Sequence, residues 1–365
     1  MTAEHLGAML PILLVGASIW VTPALTRPTL QFGVRVPGDR VDAAVIQQER
    51  HRYAWRTGVL CGCFAGAAAL LTVGSGWLVG AILLLQLATG FGCFLLARER
   101  ISAVKAEQGW FEGLTQTVAA DTTWRTDPER FPVLWLAPAV AVLIATTIIG
   151  AVRYPSLPDR IAVHFSASGV PERWVDTSVW SAFSLVITQL MITVLIAGLL
   201  VLTYRSRADV DAADAVGTTG RYRIFLARMG RAVLALAALV NVSMLLVSLQ
   251  VWQVYRLTGL AAAVPVVPTA LGVLVLLVLA VRMGQAGSRL PASAQSPDRA
   301  GVVNRDDDRF WKAGWIYVNR DDPALLVGKR FGVGWTLNFG NPRAVLLLVA
   351  IIAIAVVPLA VKAQR

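Results

Sequence analysis

The chain has 365 residues, 56% hydrophobic and 15% charged, with mean hydropathy +0.63 and a formal net charge of +11. Soluble domains carry nearer a quarter charged residues, so this composition excludes an ordinary soluble globular protein and selects a membrane protein. The basic excess is accounted for by membrane topology, which leaves no need for a nucleic-acid partner.

Eight uncharged apolar runs approach the roughly 20 residues that cross a bilayer core. They fall at 6–25, 58–76, 77–97, 131–152, 179–203, 232–254, 260–281 and 344–361. The predicted fold is therefore an all-α polytopic bundle of about eight spans, with one motif loop and one small interfacial module as accessories. The first run reads as a span and not a cleavable signal, because residues 1–5 hold no Lys or Arg. Gly74, Ser75 and Gly76 predict a tight helical hairpin between the second and third runs.

Charge sets the predicted sidedness. The segments 27–56, 98–130, 205–231 and 282–343 carry six, five, six and ten of the Lys and Arg residues, 27 of the 33. The intervening segments and termini hold only six. Cytoplasmic loops are the Lys/Arg-rich ones, so both termini and the loop near residue 160 are expected outside a plasma membrane, with anionic lipid facing the basic loops. In chain order this divides the protein into a four-span region (1–152), an extracytoplasmic loop (153–178), spans five to seven (179–281), a flexible linker (282–305), an aromatic and basic module (306–342) and the last span (343–365).

Inside the runs the polar residues are neutral: Gln86, Gln189, Asn241, Gln250 and scattered Ser and Thr. Ion-coupled transporters usually carry an ionisable group at that depth, so interhelical hydrogen bonding is the favoured reading of these amides. A path lined by Gln189, Asn241 and Gln250 is the alternative for a neutral or lipid-like substrate. Cys61, Cys63 and Cys93 all lie in apolar runs without a neighbouring His, which favours packing over zinc or a disulfide. No cofactor or metal is expected.

The cytoplasmic segments 41–56 and 98–121 read as helical extensions of their spans, and 205–231 as a loop ending in a basic amphipathic stretch. The module is different. Trp311, Trp315, Tyr317, Phe331, Trp335 and Phe339 interleave with Lys312, Arg320, Lys329 and Arg330, and residues 319–323, NRDDP, form a turn signal. Aromatic rings beside cations suit the headgroup zone, so Trp311, Trp315, Lys329, Arg330, Trp335 and Asn338 are the candidates for contact with lipid or a cytoplasmic partner.

Residues 154–174, YPSLPDRIAVHFSASGVPERW, form a polar loop stranded between spans. Pro155, Pro158 and Pro171 restrict its backbone, and Gly169 supplies a turn at positive φ. Arg160, His164, Glu172, Arg173 and Asp176 can converge in so short a loop. His164 is its one group suited to titration near neutrality, yet it lacks a second His for metal and a nucleophile-elbow context for catalysis. Tyr154, Pro155, Pro158, His164, Phe165, Gly169, Arg173 and Trp174 are the candidates for ligand recognition.

That loop, with its proline spacing, His164-Phe165, Gly169 and Arg173-Trp174 in order, resembles the short uncharacterised domain of Sdp-type toxin-immunity membrane proteins. Ser166 stands where those relatives usually have Asn. Residues 310–340 resemble a second uncharacterised domain of bacterial membrane proteins, and FGVRVP at 32–37 resembles the segment after the first span in the same relatives. The resemblance implies protection against a secreted antimicrobial peptide, or signalling from an outer ligand to a cytoplasmic regulator. Two other classes stay open: the neutral-substrate transporter, and a membrane enzyme using His164.

Overall fold

The computed structural model describes residues 3–71, 76–117, 129–166, 168–206, 210–291 and 302–363. The expected turn at Gly74-Ser75, most of the polar stretch 121–130 and the middle of the linker, 292–301, lie outside the described residues. The elements in order are α1 (Ala3–Leu25), β1 (Leu30–Gln31), β2 (Val34–Arg35), α2 (Ala44–Leu71), α3 (Gly76–Glu107), β3 (Thr115–Thr117) and α4 (Ala137–Arg153). There follow β4 (Arg160–Phe165), β5 (Pro171–Asp176), a helical turn (Val179–Ala182), α5 (Ser184–Tyr204), α6 (Ala215–Val251) and α7 (Val267–Met283). The chain finishes with β6 (Val302–Asn304), β7 (Trp311–Lys312), β8 (Ile316–Tyr317), β9 (Leu326–Gly328), β10 (Trp335–Leu337) and α8 (Pro342–Ala363).

The protein is mostly helical and is an integral membrane protein: among the described residues five helices are long and apolar enough, by length and composition, to cross a bilayer. They are Trp77–Glu107, Val133–Ser156, Ser184–Tyr204, Ala215–Val251 and Gly259–Gly287, with shorter apolar helices at Pro11–Leu25 and Pro342–Ile352. α6 runs 37 residues, about 55 Å at 1.5 Å per residue, far beyond a ~30 Å hydrocarbon core. The basic stretch 221–231 is thus continuous helix with the following span, since no proline interrupts it and Gly230 lies where the Tyr204 ring packs against the backbone.

Two compact units emerge. The first comprises Met1–Thr122, Arg207–Tyr222 and Met283–Val345. In it α1, α2 and α3 pack on one another. Gly16 lets Cys61 and Gln86 approach α1, and the Gln86 amide donates to the Ile12 carbonyl at 3.1 Å. Cys93 is buried among Phe32, Val34, Tyr53, Phe94, Trp110 and Phe331, the packing role its composition suggested.

The second unit comprises Thr123–Ser206, Arg223–Arg282 and Leu346–Arg365. Its buried amides lock three helices together. Gln189 of α5 donates to the Asn241 carbonyl (2.8 Å) and to the Thr146 hydroxyl (3.3 Å). Asn241 of α6 donates to the Ala139 carbonyl of α4 and to the Thr193 hydroxyl, each at 2.9 Å. Both amides are 0% exposed. Interhelical hydrogen bonding is what the structure makes of them.

Asn241→Leu should lower the unfolding midpoint of the detergent-solubilised protein, at a cost of about 1–2 kcal/mol. Adding Gln189→Leu should cost less than the sum of the two single changes, because the pair acts as one unit. Additive losses in a thermal-unfolding cycle would contradict a shared network.

Candidate functional site

The motif loop is a β-hairpin. α4 ends at Arg153, and the turn Tyr154–Ser156, with Pro155 at its second position, redirects the chain. β4 and β5 then pair antiparallel from Arg160↔Asp176 to Phe165↔Pro171. The register slips around His164, leaving Val163 and Glu172 without a direct opposite residue. Such irregularities re-aim side chains. Here His164 Nε2 comes to 3.4 Å from Glu172 Oε2, with the imidazole 63% exposed.

Ile161, Val163, Phe165 and Val175, with Tyr154 and Leu157, pack on Ala182, Val186, Val251 and Trp252. The Trp252 indole donates to the Ala182 carbonyl at 3.0 Å, and Gly150 leaves room for its ring. At the turn, Ser166 N donates to the Val170 carbonyl (2.8 Å) and Gly169 N to the Ser166 carbonyl (2.9 Å). Gly169 has φ +81°, and an added Cβ would strike the Leu257 carbonyl oxygen. Gly259 N closes the contact by donating to the Ser168 carbonyl at 2.9 Å. Ser166, the residue that departs from the resembled pattern, accepts from Val170 N through its hydroxyl and so holds the turn.

The candidates in the motif loop therefore separate. His164, Arg173, Trp174, Pro155 and Pro158 are exposed, whereas Tyr154 and Phe165 belong partly to the apolar seat and Gly169 is buried at the turn. Arg160 and Asp176 add an exposed pair at 3.5 Å. Ser166 and Ser168 hydroxyls meet each other at 2.9 Å. Among the described residues no group of three His, Cys, Asp or Glu side chains is placed to hold a metal. The hairpin presents an exposed, mixed-charge surface in a defined register.

The C-terminal module lies in the first unit as two short hairpins, β7–β8 and β9–β10, joined by a bridge between Tyr317 and Asn338. Its centre is charged and buried. Arg330, 2% exposed, pairs with Asp307 and Asp308 and donates to the Gly33 carbonyl at 3.0 Å. Arg35 Nε reaches Asp307 at 2.9 Å, and Lys105 Nζ lies 2.7 Å from both Asp306 and Asp308. Burial alone would raise the Asp308 carboxyl, but the charges and hydrogen bonds of Arg330 and Lys105 hold it below the ordinary 3.8.

Three sequence-based expectations are corrected here. Arg330 is not available to lipid or a partner, because the acidic run 306–308 captures it under the Trp311 ring, 5.1 Å away. Asn338, 0% exposed, spends its amide on the 319–323 turn, accepting from Asn319 N and Gly340 N and donating to the Asn319 and Asp322 carbonyls. Trp311 is buried against Tyr317, whose hydroxyl is pushed up to about 12 by burial first. Trp315 and Lys329 are exposed, and Trp335 is half-buried. The expected linker 282–305 is also structured at both ends: Gln285 is buried and accepts from Arg27 N at 3.1 Å, and β6 pairs in parallel with β3.

Sequence reasoning missed Arg35, Lys105 and the three aspartates. Their signal was a run of three acids in an otherwise basic segment. It also missed a cavity of about 400 Å³ between residues 35–39, Phe111, Leu114, Asp211 and Asn304.

Two matches to known sequence families accompany this geometry. Residues 141–190 match a domain of unknown function (DUF1648), from within α4 through the hairpin into α5. Residues 320–345 match a family of unknown function (DUF5808), covering β9, β10 and the start of α8. No curated protein and no solved structure matches the chain.

Asp308 is held below its unfolded value, so its stabilisation is present above pH 3.8 and lost as pH falls through the depressed folded value. Asp308→Asn should cost about 3–5 kcal/mol at pH 7 by leaving buried cations short of a partner. Its unfolding midpoint should converge with wild type in acid; a pH-independent gap would contradict the ion-pair account. Separately, Gly169→Ala should cost about 1–3 kcal/mol through strain at positive φ. Amide hydrogen exchange across 160–176 should rise in that variant while α6 stays protected.

Proposed function

We propose that this protein is an immunity- or signalling-type sensor in a bacterial plasma membrane, recognising a secreted peptide or another envelope ligand through the 160–176 hairpin. The observation that carries the reading is the division of labour in that hairpin. One face is fixed on an aromatic seat around Trp252, while His164, Glu172, Arg173 and Trp174 stay exposed in a defined register. Affinity gains when a recognition surface needs no ordering on binding. The resemblance to Sdp-type immunity proteins supplies the ligand class.

In this reading the chain crosses the membrane eight times, the apolar parts of α1, α2 and α8 joining the five longer helices, with both termini outside. The 27-to-6 partition of Lys and Arg supports that sidedness. The module then lies on the cytoplasmic side, where exposed Lys329, with Trp335 beside it in the β9–β10 hairpin, offers contact to a regulator or to lipid. A transport path is less well supported, because the Gln189 and Asn241 amide nitrogens are committed between helices. An enzyme is less well supported still, since a single His164–Glu172 pair does not specify a reaction.

A deletion strain challenged with secreted antimicrobial peptides and envelope-active agents tests this. Wild type should rescue the sensitivity, as should Lys329→Ala if immunity acts outside, whereas His164→Ala at equal membrane expression should fail to rescue it. Unchanged survival of the deletion strain against every agent would sink the proposal. Arg330 is unsuitable for this test, since its substitution would disrupt the module's core.

A further inference from the structure

The β7–β8 hairpin has two unlike sides. Its turn holds Ala313 at φ +51° and Gly314 at φ +72°, both central residues left-handed as a type I′ turn requires. Trp311, Gly314 and Tyr317 face inward; an added Cβ on Gly314 would meet the Arg98 guanidinium at 2.8 Å. Trp315 and Ile316 face outward, 49% and 46% exposed, beside exposed Lys312. An apolar pair of this size left in water beside a cation calls for a partner surface.

Position along α3 identifies that surface. The Trp315 ring lies edge-on to Phe91 (5.4 Å between centroids) and Phe94 (5.9 Å). Phe91 continues the exposed apolar stripe of Leu84 and Leu87 on the same spanning helix. Arg98 is the first charge after that apolar run. Phe94 and Phe91 precede it by four and seven residues, about 6 and 10 Å along a helix axis. Trp315 is therefore held beside the lipid-facing side of a span, coreward of its first charge, where the bilayer passes from hydrocarbon to headgroups. Tryptophan is enriched at that level, and a lysine there extends to the phosphate layer.

We propose that the β7–β8 hairpin is seated in the bilayer interface, with Trp315 and Ile316 at the acyl–headgroup boundary and Lys312 reaching the anionic headgroups. The lipid surface is the occupant because the exposed pair is continuous with the lipid-facing stripe of α3. The inference rests on α3 being a span and is independent of the immunity reading.

The test uses the full chain, with Cys61, Cys63 and Cys93 replaced by Ala, in phosphatidylethanolamine/phosphatidylglycerol nanodiscs. A nitroxide at Ile316→Cys should relax with oxygen and be shielded from a water-soluble nickel chelate. The same label at Lys329→Cys, exposed on the β9–β10 hairpin, should respond at least several-fold more to the chelate. Equal chelate access at both positions, or shielding of residue 316 from both reagents as under a protein partner, would overturn the proposal. A photocrosslinking residue at 316 in the native-cysteine chain gives a second reading. Phospholipid adducts by mass spectrometry support interfacial seating, and their absence beside crosslinks to protein or water refutes it.

Discussion

A buried guanidinium must find carboxylates, and the first unit is organised around that requirement. Arg330 sits almost fully enclosed, with Asp307 and Asp308 against it and Arg35 and Lys105 closing the far sides of the same carboxylates. Three aspartates, 306 to 308, thus face three cations from the segment after α1, from the end of α3 and from the β9–β10 hairpin. A charge isolated in so dry a place would be prohibitively costly, whereas a neutral cluster is tolerable. Each of the three segments is therefore fixed by what the other two contribute. The Trp311 ring lies 5.1 Å from the Arg330 guanidinium, and Phe32, Phe94 and Phe331 pack on one another in the same unit.

The second unit solves a related problem without charge. Its hairpin is polar on one face and must be held against apolar helix ends, so the fastening is aromatic: Tyr154, Phe183 and Trp252 in sequence, with the indole N–H satisfied by Ala182. Deeper in, neutral amides replace ion pairs, since Gln189 and Asn241 can cross-link three helices without the cost of an ionised group in lipid. Among the described residues no donor meets the amide oxygen of either residue. An unmade acceptor is a smaller penalty than a buried charge.

Five of the expected spans were legible because a bilayer imposes length and composition on anything that crosses it. The helical extension of α2 back to Ala44 was legible, and that of α3 past Arg98 was legible as far as Glu107, beyond which turns and β3 replace the helix expected to 121; α6 was less fully so. Each extension lacks a breaker, but the Arg221–Arg231 stretch looked like a separate amphipathic piece when it is the same helix. The strands of the 160–176 hairpin were obscured by the register slip at Val163 and Glu172, which spoils the two-residue alternation on which strand reading depends. Arg330 was misread for a different reason. Aromatic and basic residues interleave both in headgroup contacts and in buried cation–aromatic cores. What decides between the two is the pairing of Arg330 with Asp307 and Asp308, 23 and 22 positions away, and its donation to the Gly33 carbonyl, 297 positions away.

Adjacent residues make the distinction concrete. Lys329 and Arg330 carry the same charge and sit side by side, yet one is exposed and the other enclosed. The Lys329 backbone helps explain it: its N–H donates to the Gly334 carbonyl and its C=O accepts from the buried Gln285 amide, so the chain there is clamped and its side-chain directions are set. A planar guanidinium can satisfy two carboxylates and a carbonyl at once, which an ammonium on a flexible stem does less well. The order Lys-Arg in the GKRFG stretch is thus a structural specification. A partner or lipid that meets this part of the module meets Lys329, while Arg330 determines that the surface presenting it exists.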